Sequence, residues 1–239
     1  VTLNDDGTIT YAATAPGLRS LAEGASRTSS FTYTVADPEG AVSNSATATV
    51  TINGINDAPE ALADFATAEE GSAAVDINVL SNDRDIDTDD TAASLTVISA
   101  TSAAGAKISG IGVVGKNISY NPTGVKIFEA LSSGESLTDI VTYTIADSHG
   151  AEAESTITVT VLGSNSTPIA FPDTATVQED GASVAIDVLA NDTDADTSDM
   201  LRGLTVVSAE SAAGASITGI GVAGGSIIYN PRDVEGFQS

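Results

Sequence analysis

The chain has 239 residues, with 33 acidic against 8 basic and a net charge of −25. So acidic a surface repels phosphate backbones and anionic lipid, which argues against nucleic-acid and membrane-surface roles, and no apolar run approaches the roughly 18 residues needed for membrane insertion. Hydrophobic residues make up 41%, cysteine is absent and histidine occurs once, so packed cores are available but disulfides and thiolate metal sites are not.

From the N-terminus, the first clear pattern has period two. Phe31, Tyr33 and Val35 alternate with small polar residues, a turn follows at Asp37-Pro38-Glu39-Gly40, and Ala48, Val50 and Ile52 alternate again. Half-buried strands read this way. A linker, Asn56-Asp57-Ala58-Pro59, leads to two further strands at about 66–69 and 73–80, joined by the turn Glu69-Glu70-Gly71. The acidic loop Asn82 to Asp90 comes next. Beyond it lie a Gly-rich stretch from Gly105 to Gly115, which predicts a longer hairpin, and the turn at Asn121-Pro122. Val141, Tyr143 and Ile145, the turn Asp147-Ser148-His149-Gly150, and Ile157, Val159 and Val161 repeat the opening pattern. Tyr33 and Tyr143 are expected in the core, with the hydroxyl anchored to nearby backbone. His149 reads as a turn residue, without a partnered nucleophile.

The chain then repeats itself with a period of 109 residues. Pro59 aligns with Pro168, Asn82-Asp83 with Asn191-Asp192, and Tyr120-Asn121-Pro122 with Tyr229-Asn230-Pro231. Such regularity implies tandem domains. In this frame 1–57 is the C-terminal half of a repeat, 58–166 a complete repeat and 167–239 the N-terminal half of a third. About seven short strands per unit predict an all-β fold of tandem Greek-key β-sandwiches of immunoglobulin type.

The acidic loop sets carboxylates at alternate positions, Asp83, Asp85 and Asp87 in one copy and Asp192, Asp194 and Asp196 in the other. Oxygen-only clusters of this kind suit Ca²⁺. Left alone they repel, by about 4 kcal/mol per pair at 4 Å and an effective dielectric near 20. Only Arg84 offers a local counter-charge. Sandwich topology brings the first loop to the pole that holds Asp147 and the linker residues Asn56 and Asp57. The turn bearing Glu69 and Glu70 goes to the opposite pole, beside Asn165 of the next linker and the second loop. The second linker has Ser166 where the first has Asp57, and Gln178-Glu179-Asp180 stands in place of Glu69-Glu70-Gly71. Taken alone, Asp37 and Asp147 read equally as turn caps, and Asp64 and Asp173 read as ligands or as strand-start residues.

Read together, the runs Val75 to Asp87, Leu95-Thr96-Val97, Ile118 to Pro122, Val141 to Asp147 and Asn165 to Pro168 resemble the tandem Ig-like and cadherin-like repeats of large bacterial surface and RTX-type adhesins. The resemblance implies extracellular sandwich domains in long arrays, stiffened by Ca²⁺ at their junctions, that project an adhesive region from a bacterial cell surface or secreted protein. The partners it implies are neighbouring repeats of the same chain. The two half-repeats add an expectation of head-to-tail self-association between chains. A carbohydrate- or protein-binding sandwich is the alternative, disfavoured by the absence of Trp. No paired carboxylates sit in a setting that would separate their pKa values, so the sequence does not read as an enzyme.

Overall fold

Alternating β-branched residues make strands with one apolar face, and such faces are stable only when two sheets close over them. A computed structural model describes the chain except for residues 113–116, 179–180, 213, 215, 219–224 and 234–239. The first segment has a short pair, β1 (Thr2–Leu3) and β2 (Ile9–Thr10), a helical turn α1 (Pro16–Arg19), and a hairpin of β3 (Ser26–Tyr33) and β4 (Ala46–Asn53). The middle segment has β5 (Asp64–Glu69), β6 (Val75–Ile77), β7 (Thr96–Ser102), β8 (Lys107–Ser109), β9 (Ile118–Asn121), α2 (Lys126–Glu129), β10 (Ser136–Ala146) and β11 (Glu152–Leu162). The last has β12 (Val184–Ile186), α3 (Thr197–Arg202), β13 (Ser216–Thr218), β14 (Ile227–Asn230) and a 3-10 turn, Pro231–Asp233.

Two sheets form the middle sandwich. One has the order β5-β11-β10-β7 and the other β6-β9-β8. The β5–β11 pairing is parallel and the rest are antiparallel. The predicted all-β sandwich is what forms. Val141, Tyr143 and Ile145 of β10 and Ile157, Val159 and Val161 of β11 are all fully buried and share one core with Leu95, Ile118, Tyr120 and Phe128. Each such side chain contributes roughly 1.5–3 kcal/mol by leaving water.

The flanking segments repeat the same elements at the same spacing. Pairing of β12 and β13 with β14 reproduces that of β6 and β8 with β9. Their apolar faces are less covered. Tyr33, expected in a core, is 41% exposed, because among the described residues no second sheet lies over the β3–β4 hairpin. The Gly-rich stretch after β7 begins a hairpin, as expected: it contains β8, which pairs antiparallel with β9 in the smaller sheet.

Tyr143 meets its expectation. Its hydroxyl donates to the carbonyl of Leu62 at 2.8 Å and to Asp64 Oδ2 at 2.9 Å. This fastens β10 to the entry of β5. A second buried network was not legible in the sequence. Asp139, 1% exposed, accepts from Ser102 Oγ, from Tyr120 Oη at 2.9 Å and from the backbone N–H of Ala104 at 2.9 Å. A charge with that many donors is compensated, and its role is to join the two sheets.

Candidate metal centre

The acidic loop divides into two parts with different work. Asn82 Nδ2 donates to the carbonyl of Ala63 and Asp83 Oδ1 accepts the N–H of Leu62 at 2.8 Å. The second copy repeats both bonds, Asn191 to Pro172 and Asp192 to the N–H of Phe171. These side chains clamp the loop to the incoming chain. Asp83 therefore lies beside Asp64 and Tyr143 rather than among the other loop carboxylates. Burial pushes its pKa up to about 6, with the charge of Asp64 acting in the same direction and the Leu62 hydrogen bond opposing.

The remaining carboxylates converge. Oxygens of Asp85, Asp90 and Asp147 lie within 4.8 Å of one another. Burial raises the Asp85 pKa, and repulsion from Asp87, Asp90 and Asp147 adds to it against one hydrogen bond from the N–H of Asp87. Burial pulls Asp90 upward too, but hydrogen bonds from Ser148 and Ser94 and the contact with His149 outweigh it and hold this carboxyl low. The linker closes the cluster. Asn56 Nδ2 donates to Asp147 Oδ2 at 2.8 Å, and the N–H of Asp57 donates to Asp87 Oδ2 at 2.8 Å. Arg84, the local counter-charge, is engaged elsewhere, paired with Glu60 at 2.7 Å on the surface.

The second junction is built alike. Asp194, Asp196 and Asp199 form the matching group, and Asp196 Oδ2 accepts the N–H of Ser166 at 2.9 Å. From the middle unit, Glu70 Oε1 accepts the N–H of Ser164 at 3.0 Å. One linker residue, Asn165, thus separates the N–H held by one unit from the N–H held by the next. The bodies also touch directly: the N–H of Thr88 donates to the carbonyl of Ser20, that of Thr197 to the carbonyl of Ala130, and Ser132 Oγ meets Ser198 Oγ. Asn165 Nδ2 donates to the Ser166 carbonyl, and the residue lines a pocket with Asp192, Asp194 and Asp199, while Glu69 is exposed. Glu179 and Asp180 lie outside the described residues.

A divalent cation fits this donor set. Among the described residues, the buried side-chain oxygens with no hydrogen-bond partner are Asn56 Oδ1, Glu70 Oε2, Asp83 Oδ2, Asp85 Oδ2, Asp87 Oδ1, Asp90 Oδ2 and Asp196 Oδ1. All are acceptors and six belong to carboxylates. A buried, unpaired acceptor costs roughly 1–3 kcal/mol, more if charged, and hard cations with oxygen ligands at 2.3–2.6 Å relieve that cost. Asp90 and Asp199 were not among the candidates drawn from the sequence. The signal was present, since they stand 109 residues apart, in phase with the repeat.

The bacterial cadherin-like domain family matches residues 56–163, and the bacterial Ig domain family matches residues 1–53 and 165–239. No curated protein sequence matches. Among solved structures the chain is similar to mouse Protocadherin-24 EC1-3, at 13% identity over 96% of this chain and 70% of that one, with a TM-score of 0.44. Human CDH23 EC21-23 is similar at 18% identity, 87% and 65% coverage and a TM-score of 0.40. Protocadherin Gamma B2 extracellular cadherin domains 1-5 gives 12% identity, 88% and 46% coverage and a TM-score of 0.39, so the chain spans about half the length of that structure.

Proposed function

Because the chain belongs to the bacterial Ig domain family, with a bacterial cadherin-like domain at its centre, we propose that it is a run of calcium-stabilised extender repeats from a bacterial cell-surface or secreted adhesin of the RTX type. Domains of these families are extracellular-type, typically non-enzymatic structural modules, and cadherin-like ones usually bind calcium. Among the described residues no helix is long and apolar enough to cross a membrane.

The observation that carries the reading is the set of donorless buried oxygens near the linkers, on Asn56, Asp85, Asp87 and Asp90 at the first and on Glu70 and Asp196 at the second. At the first junction Asp85, Asp87, Asp90, Asp147 and the amide oxygen of Asn56 would hold the ion, with Asp57 adjacent. At the second, Glu70, Asp194, Asp196 and Asp199 would do so. The ion supplies positive charge where the carboxylates otherwise repel. An ion that binds only the aligned junction stabilises that alignment, by about 2.7 kcal/mol at one hundred times its Kd. The protein's own part is to present oxygens from a unit and its incoming linker to one point, joined at the second junction by Glu70 of the preceding unit, so that a hinge becomes a stiff joint.

Calorimetric titration of the chelator-treated chain with Ca²⁺, alongside thermal unfolding and small-angle scattering, tests this. Uptake, a higher Tm and a longer maximum dimension are expected. No uptake at millimolar Ca²⁺ with an unchanged shape would refute it.

A further inference from the structure

His149 is the one histidine in the chain, and an imidazole has no natural place in an oxygen-only calcium cluster. Its ring lies between two carboxylates, with Nδ1 3.6 Å from Asp90 Oδ2 and Nε2 3.9 Å from Asp89 Oδ2. One ligand atom from each of Asp89, Asp90 and His149 lies within 4.8 Å of the others. A separate observation concerns Asp90. It is 4% exposed, and its Oδ2, on the side of the ring, receives no hydrogen bond. Its other oxygen is occupied, accepting from Ser94 Oγ at 3.1 Å and from the N–H of Ser148 at 3.2 Å. The N–H of His149 is tied to Asp147 Oδ1 at 2.8 Å. The backbone that carries both ligands is therefore fixed before any ion arrives.

The geometry points to a second divalent-metal position at the rim of the first junction, formed by His149, Asp89 and Asp90, that takes a borderline transition ion such as Zn²⁺ rather than Ca²⁺. Calcium takes oxygen ligands, whereas imidazole nitrogen suits zinc and its neighbours. Zinc bonds of about 2.0–2.2 Å to N and O set tetrahedral ligands roughly 3.3 Å apart. The two short distances start from different ring nitrogens and one ion takes only one of them, so the exposed Asp89 carboxylate has to swing toward the nitrogen that binds, within a group whose ligand atoms already lie inside 4.8 Å. The side chains of His149 and Asp89 are 30% and 44% exposed, which leaves the fourth position to water. The repeat does not carry this arrangement onward: Asp89 corresponds to Ser198, and His149 to Glu39 in the first segment. One such position per chain follows. It goes beyond the calcium reading, although Asp90 serves both groups.

The test titrates the chain with ZnCl₂, with and without saturating Ca²⁺, by calorimetry and by long-range ¹H–¹⁵N spectra, in which a single histidine gives a single imidazole spin system. Uptake of one Zn²⁺ per chain with displacement of the imidazole signals is expected. His149→Gln should abolish that uptake and Asp89→Asn weaken it about tenfold or more, both leaving Ca²⁺ uptake unchanged. Absence of Zn²⁺ uptake, uptake that survives His149→Gln, or imidazole signals that stay fixed at saturating Zn²⁺ would overturn the proposal. Calcium binding is read in its own titration, so either site can fail without the other.

Discussion

The backbone N–H of Asp57 donates to Asp87 Oδ2 at 2.8 Å, although thirty residues separate them in sequence. Ser166 and Asp196 form the same bond at 2.9 Å. Because the donor is backbone, the exchange of Asp57 for Ser166 leaves the tie intact, and what the side chain at that position adds is charge. Asp87→Asn and Asp87→Ala separate the tie from the charge. The first keeps an acceptor and removes a carboxylate, so Ca²⁺ affinity should fall about tenfold or more, about 1.4 kcal/mol per tenfold, while the chelated chain stays at least as stable as its parent. The second also loses a hydrogen bond to a charged group and should cost the chelated chain about 1.5–3 kcal/mol. Calcium calorimetry and denaturant unfolding in chelator read the two effects.

Asp83 sets a pH dependence of unusual sign for a carboxylate. Its folded pKa is raised to about 6 from the ordinary 3.8 of an aspartate, so the folded state holds this proton more tightly than the unfolded one. The stability it contributes is fully present below the unfolded pKa and is lost as pH rises through about 6. Asp64 and Asp85 are shifted in the same direction, and Asp90 in the opposite one. The clean readout is therefore a difference. In chelator, the midpoint of urea unfolding should fall between pH 4.5 and pH 7.5 by more in the parent than in Asp83→Asn, which keeps an acceptor for the Leu62 N–H. Parallel profiles would contradict the shift.

The sandwich was legible because alternation survives wherever the backbone is extended. Ile157, Val159 and Val161 occupy one face in the sequence and one core in the structure. Within the acidic loop, where the chain turns, alternation does not specify contacts: Asp83 and Asp192 share spacing with their neighbours, yet one oxygen of each accepts the N–H of Leu62 or Phe171. Asp90, Asp199 and the surroundings of His149 depend on how the loop folds back, which spacing alone does not encode. Asp139 gave no local signal, since its partners Ser102 and Tyr120 lie 37 and 19 residues away. Tyr33 reads like Tyr143, and they differ in that, among the described residues, a second sheet faces only Tyr143.

Gly163 marks how tightly each unit closes against its own helical turn. A Cβ there would lie 2.4 Å from the carbonyl of Ser132 and 2.7 Å from Leu131 Cβ, and Gly54 is equally confined by the carbonyls of Ala22 and Leu21. The obstruction is backbone, so it cannot swing aside. Gly163→Ala should destabilise the chain by about 1–3 kcal/mol through overpacking. Because Ser132 also meets Ser198 of the next unit, calcium affinity at the second junction should fall with it. Gly17→Ala is the control: its Cβ would meet only Arg27 Nη1 at 3.5 Å, so an effect within 1 kcal/mol is expected. Thermal unfolding of both variants checks the contrast.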